Sequence, residues 1–180
     1  MFEYRCPGSA GPRTALLRRL RPPSRRQRGV GLMRTLTLAS GIGCAVVGGV
    51  FFAFSTFAVP ALARLPEAEA GRAMRSINVL ALRPPFMVVL FGTAAACLVL
   101  GVLAVRNSDL LVVGGCASYL LGVVAVTVVV NVPLNDRLAY GQVVFGAYAG
   151  AWLRWNHVRT TAGLLAAVLL ITRHDVPSQG

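Results

Sequence analysis

The chain has no lysine, few acidic residues and only two histidines, and these shortages already narrow what it can be. Its 180 residues carry 18 basic side chains, every one an arginine, against six Asp and Glu. The missing lysine suggests a GC-rich genome rather than a mechanism. Charged residues make up 13% of the chain, about half the share of a soluble domain. Hydrophobic residues make up 56%, with a mean hydropathy of +0.66. An ordinary soluble domain is excluded, and the length allows one membrane domain. Two histidines and few acids cannot build a facial triad or a bis-histidine haem site at depth, so neither a metal nor a haem is expected. The cysteines Cys6, Cys44, Cys97 and Cys116 show no ligand spacing. Three of them fall in apolar runs, where cysteine is a small packing residue, and no disulfide framework is expected.

The net charge of +12 suggests a nucleic-acid partner, but its distribution argues against one. Half of the arginines precede Leu36, and the remainder of the chain is near neutral by comparison. A basic arm beside a first membrane helix contacts anionic lipid or fixes orientation. Residues 1–32, rich in Arg, Pro, Gly and Ser, lack apolar periodicity and are expected to be disordered. The apolar segment that follows is too long for a signal peptide core. Met33, at the head of "MRTLTLAS", reads equally well as the start. With the arm counted, positive charge gathers at one membrane face; without it the bias reverses, so the sequence leaves orientation open.

Long apolar runs are what the chain does have. A crossing helix needs about 20 mostly apolar residues. The stretches at about 36–62, 85–105 and 110–132 qualify without an internal charge, and about 148–172 qualifies if its polar first turns are included. The reading is all-α: a four-helix up-down bundle over 33–173, multi-pass in the cell membrane, with a tail at 174–180. "EAEAGRAMRSIN" reads as a short amphipathic segment at the surface. "VPALARL" (59–65) echoes "VPLNDRL" (132–138), and "MRSINV" (74–79) loosely echoes "LRWNHV" (153–158), from either a duplicated helical hairpin or chance.

The last run opens on "AWLRWNHVRT", which is polar for a helix entering a bilayer. The 13 residues from Thr160 to Thr172 span about 20 Å of helix, against a hydrocarbon slab of about 30 Å. Arg159 therefore lies below the boundary unless it snorkels, and a charge at depth calls for an interior site with hydrogen-bond acceptors. Trp152, Trp155, Asn156 and Arg159 follow i, i+3, i+4, i+7 spacing and share a face. Trp152 and Arg154 read as members of an interfacial girdle, whereas Trp155, Asn156 and Arg159 read as functional. An up-down bundle would bring Phe51, Phe54 and Ser55 of the first helix to the same end. Asn78 and the "NVPLND" residues Asn131 and Asn135 would join them there, with Asp136 as a counter-charge for Arg159. The other end offers only Arg106, Asn107, Ser108 and Asp109. A purely structural bundle does not explain that one-sidedness.

"GGVFFAFSTFAVPAL", "AMRSIN", "NVPLND" and "WLRWNHVRT", in this order, resemble the anthrone oxygenase family over about residues 33–172. The resemblance implies a four-helix membrane protein that oxidises flat phenolic anthrones to anthraquinones with O2 and no added cofactor. It carries roles to Asn131, Asn135, Trp155, Asn156 and Arg159. Arg75 and the short glycine-rich stretch 140–150 depart from the pattern. By residue type, Arg159 and the asparagine amides suit an enolate oxygen, and Phe51, Phe54 and Trp155 suit a flat ring. Ser55 and Asn78 line the same mouth. His157 is the base by type, although it sits about 100° around the helix from Asn156. His174 is expected to be solvated. The implied partners are membrane lipid, a flat aromatic molecule and O2, with no nucleic acid and no defined oligomeric state. The rival reading is a non-enzymatic small-molecule binder or accessory membrane subunit.

Overall fold

The computed structural model describes residues 25–175, and among them there is no β-strand. Five helical rods follow one another. The first, α1 (Arg25–Ala53), continues through a π-helical stretch, Phe54–Ala58, into Val59–Leu62. Next come α2 (Glu67–Ala81) and α3 (Pro84–Arg106). The fourth, α4, begins at Leu110–Ala117, widens into π-helix over Ser118–Ala125 and Thr127–Asn131, and ends as Val132–Ala139. The last is α5 (Phe145–Asp175). Helix is already present at Arg25, so the end of the stretch expected to be disordered is helical; residues 1–24, with Cys6, lie outside the described part. The packed unit begins at Met33.

Three rods are long and apolar enough to cross a membrane among the described residues: Gly29–Leu62, Pro84–Arg106 and Leu110–Ala139. Their outer faces carry bare apolar side chains, among them Ile42, Phe57, Val88, Leu98, Val105 and Val129. Helices coated this way belong in lipid. The protein is a membrane protein. The expected fourth crossing lies within α5, which is long enough but has Arg154, Asn156, His157 and Arg159 in its first half, and so falls outside that group.

Helices pack closely where side chains are smallest. A Cβ on Gly163 of α5 would lie 3.1 Å from the Cα of Gly48 of α1, so the two backbones nearly touch. Small residues permit this approach in a bundle that gains little from apolar burial. Cys44, Cys97 and Cys116 are buried free thiols, with Cys44 Sγ 4.0 Å from Cys97 Sγ. Helix ends are fixed by local chemistry. Asp109 caps α4 at Val112 N and is held by Arg173 Nε at 2.7 Å. At the other end of α4, Gly141 has φ +70°, Gly141 N donates to Leu138 O, and Gln142 N donates to Arg137 O. That is a Schellman stop.

The short helix α2 lies over one end of the bundle. Its inner face, Ala70, Gly71 and Met74, is buried in a cluster with Leu138, Phe145, Tyr148 and Trp152. Glu67 and Glu69 in its first turn favour the helix dipole. Glu67 Oε1 also accepts from Gly146 N at 2.8 Å, tying the starts of α2 and α5 together.

Candidate functional site

Buried positions on α5 recur every three or four residues: Phe145, Tyr148, Trp152, Asn156, Arg159, Gly163, Ala166 and Leu170. This is one face of an α-helix facing the bundle. Near Gly163 and beyond, the face is apolar and joins a core with Cys44, Val47, Leu90 and Tyr119. Toward its start it joins the second apolar cluster under α2. Asn156 and Arg159 form a polar layer between the two.

Asn156 is fully buried and completely used. Its Nδ2 donates to Phe51 O and to Ser55 Oγ, both at 2.7 Å, and its Oδ1 accepts from Arg159 Nη2 at 2.7 Å. Ser55 comes from the π-helical stretch of α1, where Val59 N bonds to Phe54 O, five residues back. Pro60 follows directly, and its missing N–H and bulky ring disfavour ordinary α-bonding just there. The guanidinium of Arg159 lies 4.1 Å from the Phe51 ring centre and 5.0 Å from that of Trp152. Nη1 reaches Thr127 Oγ1 at 3.4 Å, while Nε is buried with no partner. No carboxylate pairs with Arg159 among the described residues; it is held by a neutral amide, a hydroxyl and two aromatic faces, an arrangement in which cation–π attraction is strengthened by desolvation.

A second polar group lies nearer α2. Asn135 Oδ1 accepts from Tyr148 Oη at 2.8 Å and from Trp152 Nε1 at 3.1 Å. Thr127, Asn131 and Asn135 are spaced by four along α4. The first meets Arg159 and the last meets Trp152, which puts Asn131 between these contacts. Asn131 is 1% exposed, yet neither Oδ1 nor Nδ2 has a partner. Asn78 Nδ2, from α2, is also buried and unpaired, and Asn78 and the Arg159 charge both lie near enough to act on the Tyr148 hydroxyl. A buried amide left open on both atoms costs on the order of 1–3 kcal/mol per group. A polar group brought to this spot would recover that cost.

The structure thus brings together Phe51, Ser55, Asn131, Asn135, Asn156 and Arg159, with Phe54 half-buried and its ring 5.9 Å from Trp152. It does not bring Trp155 or His157. Trp155 is 40% exposed, about 60° around the wheel from Trp152. The indole expected in the girdle, Trp152, is instead the buried one, at 5%. His157 is exposed and lines an outward groove with Phe52, Thr161 and Leu165, away from the polar layer. Asp136 is exposed and does not pair with Arg159. Thr127 and Tyr148 were missed from sequence, although Tyr148 lies at i−4 from Trp152 on the same stripe.

A family profile described as anthrone oxygenase matches residues 86–169, slightly less than half of the chain. The matched region takes in Asn131, Asn135, Tyr148, Trp152, Asn156 and Arg159 and leaves out α1 and α2. No curated protein and no solved structure matches the chain.

Proposed function

We propose that this membrane protein, which matches the anthrone oxygenase family over residues 86–169, acts as that family's description suggests and oxidises an enolisable, flat phenolic ketone with O2, unaided by a cofactor. In this reading α1, α3, α4 and α5 cross the cell membrane as an up-down bundle. The α5 crossing is tolerated because its polar face is turned inward. The observation that carries the function is Arg159: a buried cation that no carboxylate pairs with among the described residues, with an unpaired Nε, in the same layer as the unpaired amide of Asn131. A site built this way is short of one partner rich in acceptor oxygen. An enolate oxygen suits it, and Phe51, Phe54 and Trp152 supply aromatic surface for a flat ring.

The chemistry asks little of the protein. Stabilising the enolate lowers the cost of losing the C–H proton opposite the ketone. The carbanion passes one electron to O2, and the resulting radical and superoxide combine to a hydroperoxide. Loss of water from that hydroperoxide leaves the second carbonyl, so one substrate and one O2 give one quinone and one water. Because His157 faces outward, a second reading stays in play, in which the same layer only holds a phenolic molecule.

Membranes containing the protein, supplied with a hydroxylated anthrone, should form quinone with matching O2 uptake. Arg159→Met should lower the rate by about 100-fold, the cost of losing one stabiliser of an oxyanion. Equal rates in wild type, Arg159→Met and protein-free membranes would sink the enzyme. Saturable binding without O2 uptake would favour the holding role.

A further inference from the structure

We propose that Tyr148 is the proton donor of the oxidation, giving its phenolic proton to the oxygen that leaves when the hydroperoxide collapses; this rests on the oxidase reading above. With His157 turned outward and Asp136 exposed, the polar layer has lost both groups that residue type alone would nominate for proton work. Ser55, Thr127 and Thr160 carry only alcohol hydroxyls, much weaker acids than a phenol. Tyr148 is the remaining buried acid facing this part of the bundle among the described residues.

Its setting fits the task. Tyr148 is 1% exposed, and its ring lies 6.4 Å from Trp152, whose other neighbour is the Arg159 guanidinium. The hydroxyl donates to Asn135 Oδ1, an oxygen that also accepts from the Trp152 indole N–H, so the place of the phenol is fixed. The unpaired Asn78 amide stands near it, ready to support the phenolate that forms when the proton leaves. In a tricyclic ketone the carbonyl and the reacting carbon occupy opposite edges of the central ring. The groups serving them must therefore sit apart along the stripe. Arg159 at one end, the open Asn131 between, and Tyr148 at the other end supply that order.

The step balances. The C–H bond of the hydroperoxide carbon breaks, and its electrons form the new C=O. The O–O bond breaks heterolytically, and the departing hydroxide takes the Tyr148 proton to become water. The C–H proton passes through water to the phenolate and restores the tyrosine. No outside reductant is consumed.

Tyr148→Phe keeps the ring and its packing and removes only the hydroxyl. With a hydroxylated anthrone as the probe, the variant should consume substrate within about threefold of the wild-type rate while forming quinone at least tenfold more slowly. The shortfall should be recoverable as hydroperoxide in a peroxide assay with quenched samples. KM should be unchanged, and quenching of Trp fluorescence by the product quinone should give the same affinity in both proteins. A purely structural role for Tyr148 would instead slow consumption and product formation together and shift the affinity, which would overturn the proposal while leaving the oxidase intact. Equal quinone rates in both active proteins would also overturn it. No oxidation by wild type would take down the oxidase reading and this proposal with it. Should Tyr148→Phe fail to accumulate in membranes, Asn135→Leu keeps the phenol but removes the oxygen that fixes its place, and must give the same hydroperoxide excess.

Discussion

Two stretches of the bundle share a design and differ in outcome. In α1, the π-helical Phe54–Ala58 runs into Val59-Pro60; in α4, Thr127–Asn131 runs into Val132-Pro133. Each proline follows a widened turn, and each turn swings a polar side chain inward. Ser55, the product of the first, is saturated by Asn156. Asn131, the product of the second, has no partner on either amide atom. The same backbone device has closed one hydrogen-bond account and left the other open. What differs is the facing residue on α5, and an open pair in a buried layer is where a ligand has most to gain.

Asn156→Ala should have the largest effect on stability, about 3 kcal/mol, because it strands the Arg159 charge as well as Ser55. Unfolding in mixed detergent micelles measures it, and a cost no larger than that of Ser55→Ala would break the picture of a layer organised around Asn156. Pro133→Ala should tighten the second turn toward α-helix and turn Asn131 away. Quinone-product affinity should fall about tenfold, which corresponds to about 1.4 kcal/mol. Pro60→Ala should weaken the fold instead, with binding lost only in proportion. Ser55→Ala removes one satisfied bond and should cost about 0.6–1 kcal/mol. Asn131→Leu should cost nothing or stabilise slightly, since it removes an unmet amide, while binding is abolished. Destabilisation by Asn131→Leu equal to that of Ser55→Ala would show that the two turns are not different after all.

Much of this end of the molecule was legible in the residues, for a geometric reason. Spacing by three and four put Trp152, Asn156 and Arg159 on one face, and the cost of a buried arginine implied that this face looks inward. Spacing alone could not centre the stripe. Trp152 and Trp155 differ by about 60°, and only the burial of Phe145, Tyr148 and Gly163 decides which indole is inside. Nothing in the residue pattern announces that α1 and α4 widen into π turns just before Pro60 and Pro133. Thr127, Asn131 and Asn135 are spaced by four, so they keep a shared face toward α5 through the widened turn. The choice of Asp136 as partner failed because it followed charge type rather than orientation. The echo between 59–65 and 132–138, which the residues leave between duplication and chance, has a Val-Pro core that marks the end of a π turn in both places.

The near-touching backbones of Gly48 and Gly163 lie about one turn from Phe51 and Arg159. With no side chain to retract, that seam cannot part without pulling two helices away from each other. The layer therefore sits against a seam closed between α1 and α5, and in the proposed reading a substrate's way to Arg159 lies on the other side, toward α2.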